Sequence, residues 1–354
     1  MLINQILPPM QERLPVTVVT GFLGAGKTTL LRNLLQKSGL KLAVVVNEFG
    51  SVGIDGDLIK SCGFCPEEEI EDRLVELNNG CLCCTVQDDF LPTMEKLIAR
   101  SQNLDGIIIE TSGLALPRPL LQALEWPEIK TSLFVNGVVT LVDSEALSLG
   151  SPIGDLCSFE KQRNEDKSLE HITPVNELFH DQLKSADLVL LSRADLVSSE
   201  TIKAITKSIT SYVRDGTAIL PISQGDIQPS LIIGLSKRLS VSQPFRSNSE
   251  NSHHDHNHID VISDSLRFES EIDQLDIKEA LVKISMKYQI LRLKGRFWLS
   301  GKILPLQVQM VGPRFHAWFE DAPPNTWKPK NGGADLIVLS LKQGASEAIY
   351  NFFN

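Results

Sequence analysis

The sequence predicts an α/β protein: a mainly parallel, doubly wound sheet followed by a smaller C-terminal α+β domain. Three observations carry this. Apolar runs that do not alternate, such as Leu42–Val46 (Leu-Ala-Val-Val-Val) and Gly-Ile-Ile-Ile at 106–109, are separated by segments with helical spacing. Strands of a parallel sheet covered on both faces have this composition. A glycine-rich loop joins the first such run to the first helix. From 239 to 263 the composition shifts to Ser, Asn, His and Asp, which marks a linker between two units.

The chain has 354 residues, enough for two domains. A hydrophobic share of 42% supports a packed core, and 22% charged residues argue against wholesale disorder. The net charge of −10 argues against non-specific nucleic-acid binding. No apolar run reaches the roughly 18 residues that span a bilayer. Residues 1–14 form a leader with no charged, apolar signal pattern, so a cytoplasmic protein without a membrane partner is expected.

In chain order, the first domain covers 15–238. Its strands are expected at 16–20, 42–46, 106–109, 137–142, 187–191 and 218–222. Residues 67–77 are either helical or lead into a short strand at 74–77. Helices are expected at 28–36, 88–101, 119–124, 175–184 and 202–213, where apolar residues recur at helical spacing. Residues 145–170 are polar, with Gly150, Pro152 and Gly154, and read as a surface insertion. After the 239–263 linker, residues 264–354 carry strands at 266–269, 289–293, 296–299, 306–311 and 336–340, with helices at 277–287 and 345–353. There is no internal repeat.

The motifs follow predicted strands, where ligand loops of an open α/β sheet belong. Gly21, Phe22, Leu23, Gly24, Ala25, Gly26, Lys27 and Thr28 fill the pattern G-x-x-x-x-G-K-[ST], with Thr29 next. Glycines let backbone N–H groups curl round a phosphate, and the following helix aims its N-terminus at the same anion. Lys27 reaches the terminal phosphates and the Thr28 hydroxyl ligates Mg²⁺. Glu110-Thr111-Ser112-Gly113 closes a strand. Glu110 is the expected carboxylate for Mg²⁺ and its waters, and Gly113 can bring an N–H to the γ-phosphate. Ser192-Arg193-Ala194-Asp195 approximates the N-K-x-D signature. Asp195 can accept from guanine N1–H and N2, which adenine cannot match. This favours GTP over ATP. Arg193 can replace the lysine stem as a stacking plate, whereas Ser192 does not fully replace an Asn amide. No residue emerges as a water-positioning base; Glu48, Asp55 and Asp57 are candidates.

Five of the six cysteines cluster: Cys62, Cys65, Cys81, Cys83 and Cys84. In a reducing compartment this reads as metal or redox work. Cys81, Cys83 and Cys84 form C-x-C-C, whose thiolates suit Zn²⁺ or Co²⁺ and leave a coordination position open for transfer. Two alternatives stand beside it. One is a structural Cys₄ zinc built from Cys62, Cys65, Cys81 and Cys84. The other is a cluster of buried thiols. His253, His254, His256 and His258 form a weak accessory metal site or a solvated linker. Basic and aromatic residues mix from Arg292 to Trp298. A nucleic-acid face is possible there, but the acidic total favours a strand-and-turn edge used in domain or partner contact.

These motifs together carry a resemblance. Gly-Phe-Leu-Gly-Ala-Gly-Lys-Thr at 21–28, Asn-Glu-Phe-Gly at 47–50, Asn-Gly-Cys-Leu-Cys-Cys at 79–84, Glu-Thr-Ser-Gly at 110–113 and Arg-Leu-Lys-Gly at 292–295 resemble the CobW-type metallochaperone GTPases. The stretches 75–94 and 108–121 look like the cobalamin-biosynthesis branch. The resemblance implies a P-loop G-domain fused to a CobW-like C-terminal domain, with slow GTP hydrolysis and metal bound at Cys81, Cys83 and Cys84. For that branch it implies Co²⁺ supplied to a client metalloenzyme, a cobaltochelatase. Zinc-handling relatives share the core motifs; many carry Glu where Ser51 stands here. An adaptor with a structural zinc is the reading from another class. The oligomeric state is left open.

Overall fold

The computed structural model describes residues 13–46, 74–76, 90–153, 174–234, 260–323 and 326–354, with only the backbone described at 74–76. The first sheet holds β1 (Leu14–Gly21), β2 (Leu42–Val46), β3 (Leu74–Glu76), β4 (Gly106–Glu110), β5 (Leu133–Asp143), β6 (Leu188–Ser192) and β7 (Ala218–Pro221). Its order is β3-β2-β4-β1-β5-β6-β7, and every neighbouring pair is parallel. β2, β4 and β5 are buried along their whole length, as unalternating strands between two helical layers must be.

Helix α1 (Lys27–Lys37) lays Leu30, Leu31, Leu34 and Leu35 on one face of this sheet. Each contributes roughly 1.5–3 kcal/mol by leaving water. The opposite face receives Met94 and Leu97 from α2 (Leu91–Ala99), and Leu120 and Ala123 from α3 (Pro117–Ala123). Helices α4 (Ser144–Ser148), α5 (Val175–Ser185), α6 (Ser199–Thr210) and α7 (Pro229–Ile232) complete this half.

The second sheet is antiparallel, in the order β11-β10-β9-β12-β8. Its strands are β8 (Ile262–Glu269), β9 (Ile290–Trp298), β10 (Leu306–Val311), β11 (Arg314–Phe319) and β12 (Gly333–Ser340). One face is closed by α8 (Gln274–Tyr288) and α9 (Ala345–Phe353) around Phe297, Val308, Leu336, Leu281 and Ile349. Among the described residues, no helix is long and apolar enough to cross a membrane.

The C-terminal sheet meets the first domain at the amino-terminal ends of the parallel strands, away from the glycine-rich loop. Leu291 and Leu339 share the core beneath α1. Arg292 is fully buried and donates to the Leu231 and Ile232 carbonyls and, at 2.9 Å, to Asn136 Oδ1. Burial pushes its guanidinium down to about 9, against the pull of Asp187. Asp187 is itself buried and accepts from Arg214 and, at 2.5 Å, from Arg314 Nε.

Several sequence expectations are corrected. The stretch from Arg292 to Trp298 is one strand at the centre of its sheet, not two strands joined by a turn at an edge. Gly295 is there for close approach: a Cβ would come 2.1 Å from the Asp335 carbonyl oxygen. At the start of the stretch expected as an insertion at 145–170, Asp143 caps α4 through the Ala146 N–H; Ala146 and Ile153 are buried, Leu149 is exposed, and residues 154–170 lie outside the described residues. Helix α2 is described from Leu91, with Pro92 in its first turn, and residues 88 and 89 of the expected helix lie outside the described residues. β11, α7 and the first residues of β5 were not anticipated.

Candidate functional site

The loop after β1 is shaped by its glycines. Gly21, Gly24 and Gly26 have φ of 136°, 78° and 92°, and Gly26 is the left-handed N-cap of α1. L-residues avoid this region, so the backbone can curl only with glycine there. Lys27 is buried, and its Nζ donates to the Gly21 and Phe22 carbonyls at 3.0 and 3.3 Å. That holds the ammonium over the loop. Thr28 is the second residue of α1.

Glu110 ends β4 in register with Val19 of β1 and Val46 of β2. It is 3% exposed. The chain beyond it is tied to β1: Thr111 N–H donates to the Val19 carbonyl at 3.0 Å, and the Thr111 and Thr20 hydroxyls lie 2.9 Å apart. Gly113 then presses on the glycine-rich loop so closely that a Cβ would sit 2.6 Å from the Leu23 nitrogen. The structure therefore joins the two phosphate motifs into one surface.

On the other side of the loop, Ser192 ends β6 and lies against Gly26, where a Cβ would meet the Ser192 Cβ at 3.8 Å. Its hydroxyl donates to the Val142 carbonyl at 3.3 Å. Arg193 adopts φ 51° and pairs with Asp143 at 2.7 Å and Glu145 at 3.5 Å. The stacking plate expected of it is thus a guanidinium held by two carboxylates. Asp195 is exposed in the short turn Ala194–Leu196, which the Ala194 N–H ties to the Ile222 carbonyl at 3.2 Å. The Ser223–Gly225 segment closes on α1, where Asn33 donates to the Gln224 carbonyl at 2.7 Å.

Sequence reasoning missed Gln182. It sits on the buried face of α5, among Leu178, Phe179 and Leu183. Its amide donates to the Gly113 carbonyl at 3.2 Å and to the Ala115 carbonyl at 3.5 Å. Its main-chain carbonyl accepts from the Thr140 hydroxyl at 3.2 Å. A polar residue in an otherwise apolar helical stripe was the available signal. Asp143 ends β5, and its role as partner of Arg193 depends on β5 and β6 lying side by side.

Cys62, Cys65, Cys81, Cys83, Cys84, Glu48, Asp55, Asp57, His253, His254, His256 and His258 lie outside the described residues. Among the described residues no three His, Cys, Asp or Glu side chains gather to hold a metal.

Comparison with known proteins agrees with this geometry. Residues 15–221 match the family model "CobW/HypB/UreG, nucleotide-binding domain". Residues 261–346 match "Cobalamin synthesis protein cobW C-terminal domain". The "Zinc chaperone CobW" of Pseudomonas aeruginosa is 44% identical over 354 residues, covering 96% of this chain and 90% of that protein. The protein of the same name from Sinorhizobium sp is 39% identical over 337 residues, covering 94% of each chain. The "Zinc chaperone YjiA" of Escherichia coli is 26% identical over 332 residues, covering 88% and 92%. With its glycine-rich loop, its paired strand-end motifs and both family domains in order, the chain belongs to the CobW-type metallochaperone GTPases.

Proposed function

We propose that this GTPase uses its nucleotide to control a thiolate metal site at Cys81, Cys83 and Cys84, and delivers Zn²⁺ from it to a client metalloprotein. The supporting observation is the order of strand ends. β3, β2, β4 and β1 are parallel neighbours. Their carboxyl ends lead into the cysteine segment, residues 47–50, Glu110–Gly113 and the glycine-rich loop respectively. Strands lie about 4.8 Å apart, so the ends of β1 and β3 are roughly 14 Å apart. A change at the γ-phosphate has only two strand ends to cross.

In this reading the loop amides, the α1 N-terminus and Lys27 hold the phosphates, and Asp195 accepts from guanine. Thr28 and the buried Glu110 carboxylate are the oxygen groups that would hold Mg²⁺, which when bound neutralises charge on the phosphates. To swing a two-state metal loop fully, GTP must bind the ordered state about 10⁴-fold better than the other.

The sequence expectation of Co²⁺ for a cobaltochelatase gives way to zinc. Relatives at 44% and 39% identity are named zinc chaperones. Zinc also lies above cobalt in the affinity order for such ligands. The test is metal analysis of GTP-loaded protein equilibrated with equal Co²⁺ and Zn²⁺. Zinc should dominate, and Cys81/Cys83/Cys84→Ser should lose it. Dominant cobalt, or zinc retained by the triple variant, overturns the reading.

A further inference from the structure

Arg193 stands where β6 gives way to the Asp195 turn, and its backbone is costly. A φ of 51° lies in the left-handed region that only glycine adopts freely. Such a conformation persists when the surroundings hold it in place. Here Asp143 does so. Its carboxylate is 1% exposed, beside an arginine side chain that is 44% exposed. Asp143 Oδ1 accepts from the Ala146 N–H and caps α4, while Oδ2 accepts from Arg193 at 2.7 Å. Glu145, 46% exposed, lies 3.5 Å from the same arginine nitrogen, Nη1. Ser192 takes no part, since its hydroxyl is turned to the Val142 carbonyl.

Pairing uses a guanidinium's edge, where its N–H groups lie, and leaves its flat faces for stacking. Both carboxylates meet the one terminal nitrogen, so the half-exposed plane is held at its rim. Register decides where it is held. Asp143 pairs with Ser192 across β5 and β6, and Leu141 pairs with Gly21 at the head of the glycine-rich loop. The guanidinium plane and the phosphate loop are thus both referred to the end of β5. We infer that Asp143 is a positioning residue for the nucleotide: it locks the Arg193 plane where the purine base stacks once the phosphates sit on the loop. Glu145 adds little, because its longer, half-exposed contact is screened by water. The inference rests on the reading of Asp195 as the acceptor for guanine, which brings the base to this turn.

Asp143→Asn keeps the Oδ1 acceptor of the α4 cap and removes the charge that holds Arg193. Contacts to the base are the same in ground and transition states, so their loss falls on affinity and not on turnover. The full chain is titrated with GDP and with inosine diphosphate by calorimetry, and GTP hydrolysis is followed at saturation. Asp143→Asn and Arg193→Ala should each weaken both diphosphates about tenfold, with kcat within about twofold. The double variant should bind no more weakly than Arg193→Ala, and Glu145→Gln should stay within about threefold of the parent. Arg193→Gln keeps a planar group but loses the pairing, at a half-exposed side chain, and carries the same test should Asp143→Asn not fold. Unchanged GDP affinity in a folded Asp143→Asn or Arg193→Gln protein overturns the inference, as do losses that multiply in the double variant or fall on kcat alone. Asp195→Asn tests the guanine reading by itself, because it should exchange a preference for GDP for one for xanthosine diphosphate. If it does not, while Asp143→Asn and Arg193→Ala still share one loss on both diphosphates, the guanine reading falls and the role of Asp143 stands.

Discussion

Gly113→Ala tests the joining of the two phosphate motifs. The added Cβ would lie 2.6 Å from the Leu23 nitrogen, 3.1 Å from the Phe22 carbonyl carbon and 3.2 Å from the Leu23 Cα. All three are backbone atoms of the glycine-rich loop, so no side chain can swing aside. To reach ordinary contact the two segments must part by about 0.4–0.8 Å. Misplacement by about 1 Å costs roughly 10²-fold in rate where catalysis depends on positioning, so kcat for GTP should fall between about 10-fold and 100-fold. The overpacking should cost about 1–3 kcal/mol of stability. The assay is steady-state phosphate release against GTP concentration, with a melting curve to show that the variant is folded. A folded Gly113→Ala protein with unchanged kcat and KM would refute the reasoning.

Other expectations follow from single contacts. Gln182→Leu removes the donor to the Gly113 carbonyl, 3.2 Å away, at nearly constant volume; kcat should fall about tenfold with a smaller change in KM, and a shift in KM alone would contradict this. Asp187→Asn leaves Arg214 and Arg314 facing a neutral amide in a buried site; unfolding free energy should drop by about 3–5 kcal/mol, measured by denaturant titration. The His316 imidazole is held below its ordinary value of 6.5, first by burial and then by Arg314, with Arg13 adding and Glu125 and Asp187 opposing. The unfolded chain then binds the proton more readily, so His316 lowers stability as pH falls below about 6.5. Melting curves should show His316→Gln with a flatter slope over that range; an unchanged slope would contradict the assignment.

The parallel sheet was legible because its strands are buried on both faces. Leu42–Val46 has no polar member to confuse the pattern, and its bounds match the structure. The glycine-rich loop was legible because each position carries its own constraint, left-handed backbone at Gly26 above all. β9 was misread because Gly295 has two meanings, turn or close approach, and only the neighbouring Asp335 backbone decides. Sequence places Arg193 before Asp195, as a plate for the base, and shows nothing of its carboxylate partner. Its pairing with Asp143 comes from a neighbouring strand 50 positions earlier. Gln182 was overlooked for the same reason: its partners Gly113 and Ala115 are 69 and 67 positions away. Side chains that act through distant partners leave only a misplaced polarity in the local pattern.

The central claim is that phosphate contacts at Gly21–Thr28 set the affinity of the thiolate site some fifty residues on. The most direct measurement is Zn²⁺ affinity, by competition with a chromogenic chelator, with a non-hydrolysable GTP analogue and with GDP. The coupling account predicts affinities that differ at least about tenfold between the two nucleotides, with the difference lost in Lys27→Ala. Equal Zn²⁺ affinity in both nucleotide states would contradict it.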